Sequence, residues 1–168
     1  MARIDLVAFD ADDTLWRSQE YFDDAQTKFE TIMAPYIDLD RSDVSARLYA
    51  TESRNIALFG YGAKGMTLSM IETAITLSNE RITAGDLHRI VQLGKALLEH
   101  PVDLLPGIRE AVEAVASKYR IILITKGDLF QQEAKVTQSG MADIFTRLEI
   151  ASEKDRKTYT RVLCECEV

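Results

Sequence analysis

Apolar residues along the chain form two kinds of pattern, short continuous runs and stripes at helical spacing. Residues 4–9 are an apolar run with one interruption, residues 121–124 are entirely apolar, and residues 147–150 form a weaker third run. Their length and their β-branched residues predict strands. Because residues 121–124 are apolar on both sides, we expect a parallel sheet covered by helices.

Four apolar stripes at helical spacing lie between the first and second predicted strands. Ser18 is the expected N-cap of the first helix and Asp40 that of the second, and Thr83 with Asp86 resembles a capping box at the fourth. Since no strand pattern separates them, the stripes predict a helical insertion. Their apolar members are Phe22, Ala25, Phe29, Ile32, Met33 and Tyr36; Val44, Leu48 and Tyr49; Met66, Met70, Ile71, Ala74 and Ile75; and Leu87, Ile90, Val91, Leu97 and Leu98.

Helix and strand patterns alternate again after the insertion. Residues 106–107 open one helix, Asp128 caps a second helix that ends near Gly140, and a last helix starts at about Asp155. The pattern predicts an α/β fold, a Rossmann-like parallel sheet core with helices on both faces, joined by right-handed crossovers.

The formal net charge of −7 argues against nucleic acid and anionic membrane surfaces as partners. A small anionic substrate stays compatible with it, because local cations or a metal can dominate one pocket. Cys164 and Cys166 form no disulfide framework, the start of the sequence lacks a signal-peptide pattern, and no stretch approaches the roughly 18 apolar residues of a membrane span. We therefore expect a cytoplasmic protein without nucleic-acid or membrane partners.

Polar clusters follow each predicted strand, where open parallel sheets bind ligands. They are residues 10–14, residues 125–128 and Lys154. If the chain turns after the first strand, Asp10 and Asp12 can face a common pocket. One carboxylate could then attack a phosphorus atom while the other transfers protons. The alternative interpretation is a solvated turn of aspartates.

At these clusters the chain resembles the haloacid dehalogenase-like superfamily. Residues 10–15 match its first motif, Asp-x-Asp-x-Thr-Leu, and residues 121–125 look like the second, a hydrophobic strand that ends in Thr or Ser. Residues 152–155 followed by Tyr159 are similar to the third, which supplies a lysine. The insertion lies where many members carry an α-helical cap. We expect residues 1–16 and 101–168 to form the core and residues 17–100 to form the cap.

The resemblance implies a role for each motif residue. Asp10 would be the nucleophile and Asp12 the general acid and base, and Thr125 and Lys154 would hold the phosphate. Lys157 is the alternative to Lys154. The Asp10 carboxylate and the Asp12 backbone carbonyl would bind Mg²⁺, which offsets the repulsion between phosphate and nucleophile.

Three further residues are candidates for substrate binding. Lys126 follows Thr125, where backbone amides can hold phosphate oxygens. Trp16 either lines the mouth of the pocket or packs against the cap. Lys64 lies in the glycine-rich residues 60–65, which are either a turn between helices or a cap loop that faces the substrate.

The details of the first motif bear on the reaction. Asp12 argues against carbon–halogen cleavage, Thr14 against the sugar phosphomutases and Ala11 against the ion pumps of the superfamily. The resemblance therefore implies a Mg²⁺-dependent phosphatase that acts on a small phosphorylated metabolite, a phosphate monoester, through an aspartyl-phosphate. The alternatives are phosphomutase-like phosphoryl transfer and a non-catalytic remnant that binds a partner.

A fourth motif of the family, acidic residues after a further strand, does not occur before Val168. Since that motif completes the magnesium site, we expect low or absent turnover of the 168-residue form. The further strand would pair with the first, so we also expect self-association through the exposed edge of residues 4–9.

Overall fold

The computed structural model describes residues 4–39 and 43–167. The chain divides into two compact units, the α/β unit of Met1–Gln19 and Pro101–Val168 and the helical unit of Glu20–His100. No helix in the described ranges is long and apolar enough to cross a membrane. In chain order the elements are β1 (Leu6–Phe9), α1 (Gln19–Met33), α2 (Val44–Phe59), α3 (Ala63–Leu77), α4 (Ala84–Glu99), α5 (Ile108–Ala116), β2 (Arg120–Lys126), α6 (Leu129–Gln138), a 3₁₀ helix (Ala142–Ile144), β3 (Leu148–Ala151) and α7 (Arg156–Glu165).

The described strands of the α/β unit form one parallel sheet in the order β1-β2-β3. The predicted α/β fold is therefore confirmed. Phe9 lies beside Leu123 and Thr125 beside Ile150, so the carboxyl ends of all three strands meet at one edge of the sheet. The middle strand is buried from Ile121 to Thr125, as its apolar run predicts. The expected self-association at the edge of β1 stays a prediction.

The helical unit consists of α1 to α4 around an apolar core, which confirms four helices in succession. Phe29, Leu48, Met70 and Ile90 are fully buried members of this core. A Cβ on Gly94 would lie 2.0 Å from the Thr67 hydroxyl oxygen, so α3 and α4 approach closely there. The unit is held together by the apolar stripes that the sequence shows.

Three of the polar residues that were expected to cap helices lie at the helix starts. The side chains of Thr83, Asp128 and Asp155 accept backbone hydrogen bonds at the starts of α4, α6 and α7. Gly107 and Gly140 have φ angles of 72° and 65°, the left-handed conformation that glycine adopts most easily.

The structure also differs from the sequence-based expectation. The predicted cap Asp40 lies outside the described residues, and Asp43 caps α2 by accepting from the Ala46 N–H at 2.8 Å. The first strand begins at Leu6 instead of residue 4, and Tyr36 lies beyond the end of α1. The short 3₁₀ helix was not predicted, because three residues carry too little periodicity to detect.

Candidate active site

The acidic residues that follow β1 lie on a tight turn. The Ala11 carbonyl accepts from the Thr14 N–H at 3.1 Å and the Leu15 N–H at 2.7 Å. Asp13 has a φ of 58°, a left-handed conformation that aspartate tolerates better than most residues. The chain therefore turns after the first strand, as the common-pocket hypothesis for the two carboxylates requires.

A second segment of the α/β unit holds the turn in place. The Leu105 N–H donates to the Leu15 carbonyl and the Arg17 N–H donates to the Asp103 carbonyl, each at 2.9 Å. Residues 15–17 thus pair with residues 103–105 in a short antiparallel arrangement around Trp16. The acidic turn has little freedom, because β1 pairs with β2 before it and residues 15–17 pair with residues 103–105 after it.

Asp10 lies at the carboxyl end of β1 and is the more accessible of the two motif carboxylates. Its side chain is 48% exposed, and Lys154, which follows β3, forms an ion pair with its Oδ1. The same oxygen accepts from the Ala11 N–H at 2.7 Å, whereas Oδ2 has no hydrogen-bond partner among the described residues. Of the two candidate lysines, Lys154 reaches the first motif, and the meeting strand ends bring it there.

Asp12 is held by three side chains. Its Oδ1 accepts from the indole N–H of Trp16 and from the Lys135 ammonium group, both at 2.7 Å, and its Oδ2 accepts from the Gln132 amide at 2.8 Å. The Asp12 side chain is 29% exposed and that of Lys135 is 17% exposed. Asp10 and Asp12 therefore each pair with a different lysine.

These contacts set the protonation of Asp12. Burial by itself raises the pKa of the Asp12 carboxyl, because the charged form loses water. The charge of Lys135 and the hydrogen bonds from Lys135, Gln132 and Trp16 outweigh burial and hold the pKa below its usual value. Asp12 is therefore a carboxylate at neutral pH in this structure.

Gln132 and Lys135 were missed by the sequence analysis. They lie three residues apart on α6, which begins directly after the loop that follows β2. The available signal was two polar side chains on the face that also carries the buried Val136. That signal was too weak, because only the packing of α6 shows that the face points at Asp12.

Trp16 is buried within the α/β unit, in the cluster that contains Leu15 and Val112. The indole N–H donates to Asp12. A place at the mouth of the pocket and packing against the cap, the two predicted positions of Trp16, stay predictions.

Thr125 and Lys126 end β2. Thr125 is buried beside Ile150, and the Lys126 ammonium group lies 3.5 Å from the Glu153 carboxylate. Gly127 follows with a φ of 143°, and Asp128 then caps α6. The contribution of Thr125 and Lys126 to substrate binding stays a prediction.

Lys64 lies in the first turn of α3, in the helical unit. The glycine-rich segment around it joins α2 to α3, with Gly60 at the end of one helix and Gly62 at the start of the next. It is therefore a turn between helices. The predicted contact of Lys64 with a substrate stays a prediction.

Asp13 has a structural role that the sequence did not show. Its Oδ1 accepts from the backbone N–H groups of Ser18 and Gln19 at 2.9 and 3.1 Å, at the start of α1. The hydroxyl of Ser18, the predicted cap, accepts from Lys135 at 3.3 Å. Asp13 therefore satisfies helix-start N–H groups that a cap would otherwise satisfy.

The motif carboxylates are of the kind that magnesium uses. Magnesium is commonly bound by one or two carboxylates together with waters and substrate phosphates. Asp10 offers a half-exposed carboxylate, and among residues 4–39 and 43–167 no group of three or more acidic, histidine or cysteine side chains is placed to hold a metal. The residues present fit a magnesium ion held mainly by Asp10 and by the substrate.

Several solved structures are similar to this chain. A haloacid dehalogenase-like family hydrolase from Xanthomonas campestris is 55% identical, with a TM-score of 0.91, and the match covers 98% of this chain and 70% of that one. A 2-haloacid dehalogenase from Pseudomonas syringae pv. tomato DC3000 is 20% identical, with a TM-score of 0.61, and the match covers 99% of this chain and 74% of that one.

A predicted phosphoglycolate phosphatase from Haemophilus somnus 129PT is 16% identical, with a TM-score of 0.56, and the match covers 99% of this chain and 73% of that one. The similarities at 20% and 16% identity show a shared fold alone. No curated protein matches the chain. The model of the haloacid dehalogenase-like hydrolases matches residues 4–162, and the chain belongs to this family.

Proposed function

We propose that this hydrolase is a magnesium-dependent phosphatase that cleaves a small phosphate monoester through an aspartyl-phosphate on Asp10. The observation that carries the proposal is the state of the Asp10 carboxylate. Its Oδ1 is fixed by Lys154 and the Ala11 N–H, and its Oδ2 is free of partners among the described residues. A fixed, half-exposed carboxylate at a strand end is suited to act as a nucleophile.

In the first step, Asp10 Oδ2 forms a bond to phosphorus while the bond to the ester oxygen breaks. Lys154 lies against the other oxygen of the same carboxylate, where its charge can stabilise the transferred phosphoryl group. The leaving oxygen takes a proton from Asp12, which must first be protonated, or from water. The products of this step are the free alcohol and phospho-Asp10.

In the second step, a water attacks the phosphorus of phospho-Asp10 and the bond between Asp10 and phosphorus breaks. Asp12 accepts a proton from this water. A base must begin the step without its proton, and the hydrogen bonds from Lys135, Gln132 and Trp16 favour the ionised form of Asp12. Inorganic phosphate leaves and Asp10 is restored.

A magnesium ion, when bound, supplies charge that offsets the repulsion between the phosphate and Asp10. Members of the family generally use this ion. Asp10 would hold it here, with the substrate phosphate and the backbone of the acidic turn.

Solved structures of this fold bear the names of dehalogenases and of a phosphatase, so the fold leaves the reaction open. Asp12 supports phosphoryl transfer, because loss of a halide needs no proton at the leaving atom. The three hydrogen bonds that hold Asp12 support a role in the reaction over that of a solvated turn residue.

The test measures phosphate release from 4-nitrophenyl phosphate and a panel of natural monoesters, with magnesium, using the 168-residue chain. Since low turnover is expected of this chain, Asp10→Asn should reduce the rate to the background level, because the nucleophile is lost while its shape is kept. Asp143→Asn, an exposed change in the same unit, should leave the rate unchanged. Mass spectrometry of acid-quenched protein should detect one added phosphoryl group, absent in Asp10→Asn.

Equal rates for wild type and Asp10→Asn would contradict the proposal. Release of chloride from 2-chloropropionate without phosphatase activity would show that the chain is a dehalogenase instead.

A further inference from the structure

We propose that Gln132 and Lys135 are positioning residues, which together with Trp16 hold the Asp12 carboxylate in the orientation that proton transfer requires. This inference rests on the proposed phosphatase function. It assigns a catalytic purpose to α6, a helix without a residue in any of the motifs that identify the family.

The three contacts fix the direction of the Asp12 side chain. Trp16 donates from the turn that carries Asp12, whereas Gln132 and Lys135 donate from α6, and both carboxylate oxygens are engaged. Three donors from two elements restrict rotation of a carboxylate more than any one of them would. A proton donor or acceptor misplaced by about 1 Å loses about 100-fold in rate, so such restriction matters.

The loop before α6 is shaped to admit Gln132. A Cβ on Gly127 would lie 3.0 Å from the Gln132 amide nitrogen, closer than most side chains tolerate. Gly127 also has a φ of 143°, which other residues rarely adopt. Gly127 therefore leaves room for the Gln132 side chain, which donates to Asp12.

The orientation of the Gln132 amide is unfavourable for stability. Its nitrogen faces the Asp12 carboxylate, as charge requires, and its buried Oε1 has no hydrogen-bond partner among the described residues. A buried acceptor without a partner destabilises the folded state. A leucine of similar size would avoid this loss but would also remove the donor from Asp12 Oδ2, so the contact with the carboxylate explains a glutamine at this position.

The kinetic test compares two esters that differ in their need for a proton at the leaving oxygen, 4-nitrophenyl phosphate and benzyl phosphate. Lys135→Met and Gln132→Leu should lower kcat for benzyl phosphate by about 10- to 100-fold. They should lower it much less for 4-nitrophenyl phosphate, whose leaving group needs little protonation. KM should change little for either ester, and Lys135→Arg, which keeps the charge, should restore most of the loss.

A second readout does not depend on activity. Trp16 is the only tryptophan of the chain, so its indole N–H gives one identifiable signal in a ¹H–¹⁵N spectrum. Lys135→Met and Gln132→Leu should both shift this signal, because each changes the carboxylate to which the indole donates.

Matched controls are Gln138→Leu, an exposed change on the same helix, and Lys118→Met, an exposed change in the same unit. Neither should alter kcat or the indole signal. Equal losses on the two esters, a change in KM alone, or an indole signal that the α6 variants leave in place would overturn the inference. If wild type hydrolyses neither ester above Asp10→Asn, the proposed function fails, and the indole signal still decides whether α6 holds Asp12.

Discussion

Two ion pairs, one in each unit, hold their charges in different surroundings. In the α/β unit the Asp12–Lys135 pair is largely buried, with side chains 29% and 17% exposed. In the helical unit the Lys28–Asp24 pair is at the surface, with both side chains 59% exposed. A charge withdrawn from water destabilises the fold unless it is well paired, whereas an exposed pair contributes little in either direction.

The buried polar side chains of the helical unit are neutral: Thr51, Asn55, Ser69, Thr73 and Ser78. They occur among apolar residues that form a continuous core. The core of the helical unit is therefore apolar with neutral polar side chains, whereas the Asp12–Lys135 pair lies at the edge of the sheet where the site is. The contrast between the two ion pairs indicates that function accounts for the charges held out of water at the site.

The largest expected effect is on packing in the helical unit. Phe29→Ala removes a fully buried ring and should lower the free energy of unfolding of that unit by about 3–5 kcal/mol. Circular dichroism during denaturation by urea reports all helices, whereas Trp16 fluorescence reports the α/β unit. Phe29→Ala should shift the first signal more than the second.

The matched variant is Leu123→Ala, in the buried middle strand of the α/β unit. It should shift the Trp16 transition to lower urea by a comparable amount. If each variant moves both signals equally, the units unfold as one cooperative body, and their contrast in charge does not reflect separate stabilities.

The second prediction concerns charge in the α/β unit. Lys154→Met should lower kcat/KM for 4-nitrophenyl phosphate by about 100-fold, because the oxygens of the site lose a preorganised cation. Lys28→Met removes the same charge from the helical unit and should leave kcat/KM unchanged. A comparable loss in both variants would show that the effect comes from net charge and not from the site.

The sequence predicts those helices, strands and caps that depend on residues close together in the chain. The apolar run of β2, the stripes of α1 to α4 and the caps at Thr83, Asp128 and Asp155 are all statements about neighbours in sequence. Lys154 was also predictable, because the carboxyl ends of parallel strands meet and the residue follows β3.

The surroundings of Asp12 could not be read from the sequence in the same way. Lys135 lies 123 residues away from it, and only the angle at which α6 packs brings the two together. The hydrogen bond from Trp16 to Asp12 was likewise not predicted, because the sequence left the ring either at the mouth of the pocket or against the cap. Contacts set by tertiary packing leave no local pattern.

A third prediction uses two glutamates whose pKa values move in opposite directions. Hydrogen bonds from Arg161 and Arg147 hold the pKa of Glu149, in the α/β unit, below its usual value. Burial raises the pKa of Glu52, in the helical unit. Ionisation therefore stabilises the fold at Glu149 and destabilises it at Glu52.

The direction in which each carboxyl changes stability with pH follows from the linkage between proton binding and folding. Glu149 contributes stability above the pKa of an unfolded glutamate, about 4.3, and loses it as the pH falls through the lower folded value. The contribution of Glu52 is present below that unfolded value and is lost as the pH rises through the higher folded one. Glu149→Gln should thus destabilise the protein at pH near 7, and Glu52→Gln should stabilise it.

Urea unfolding of both variants between about pH 3 and pH 8 measures these differences, and both should shrink towards the acid end, where the wild-type carboxyls are protonated. The same sign for the two variants at neutral pH would remove the contrast between a carboxylate held by arginines and one perturbed by burial.

The smallest effect is expected at the surface pair of the helical unit. Lys28 and Asp24 lie one turn apart on α1, and 2.5 Å separates the Lys28 Nζ from the Asp24 Oδ2. Both side chains are well exposed, so water and salt screen their attraction. A double-mutant cycle with Lys28→Met and Asp24→Asn should give a coupling of about 0.3–0.5 kcal/mol that declines as salt is added. A coupling above about 1 kcal/mol that resists salt would mean that the pair is shielded from water in solution. The Lys28–Asp24 pair would then resemble the Asp12–Lys135 pair, and removal from water would no longer distinguish the two pairs.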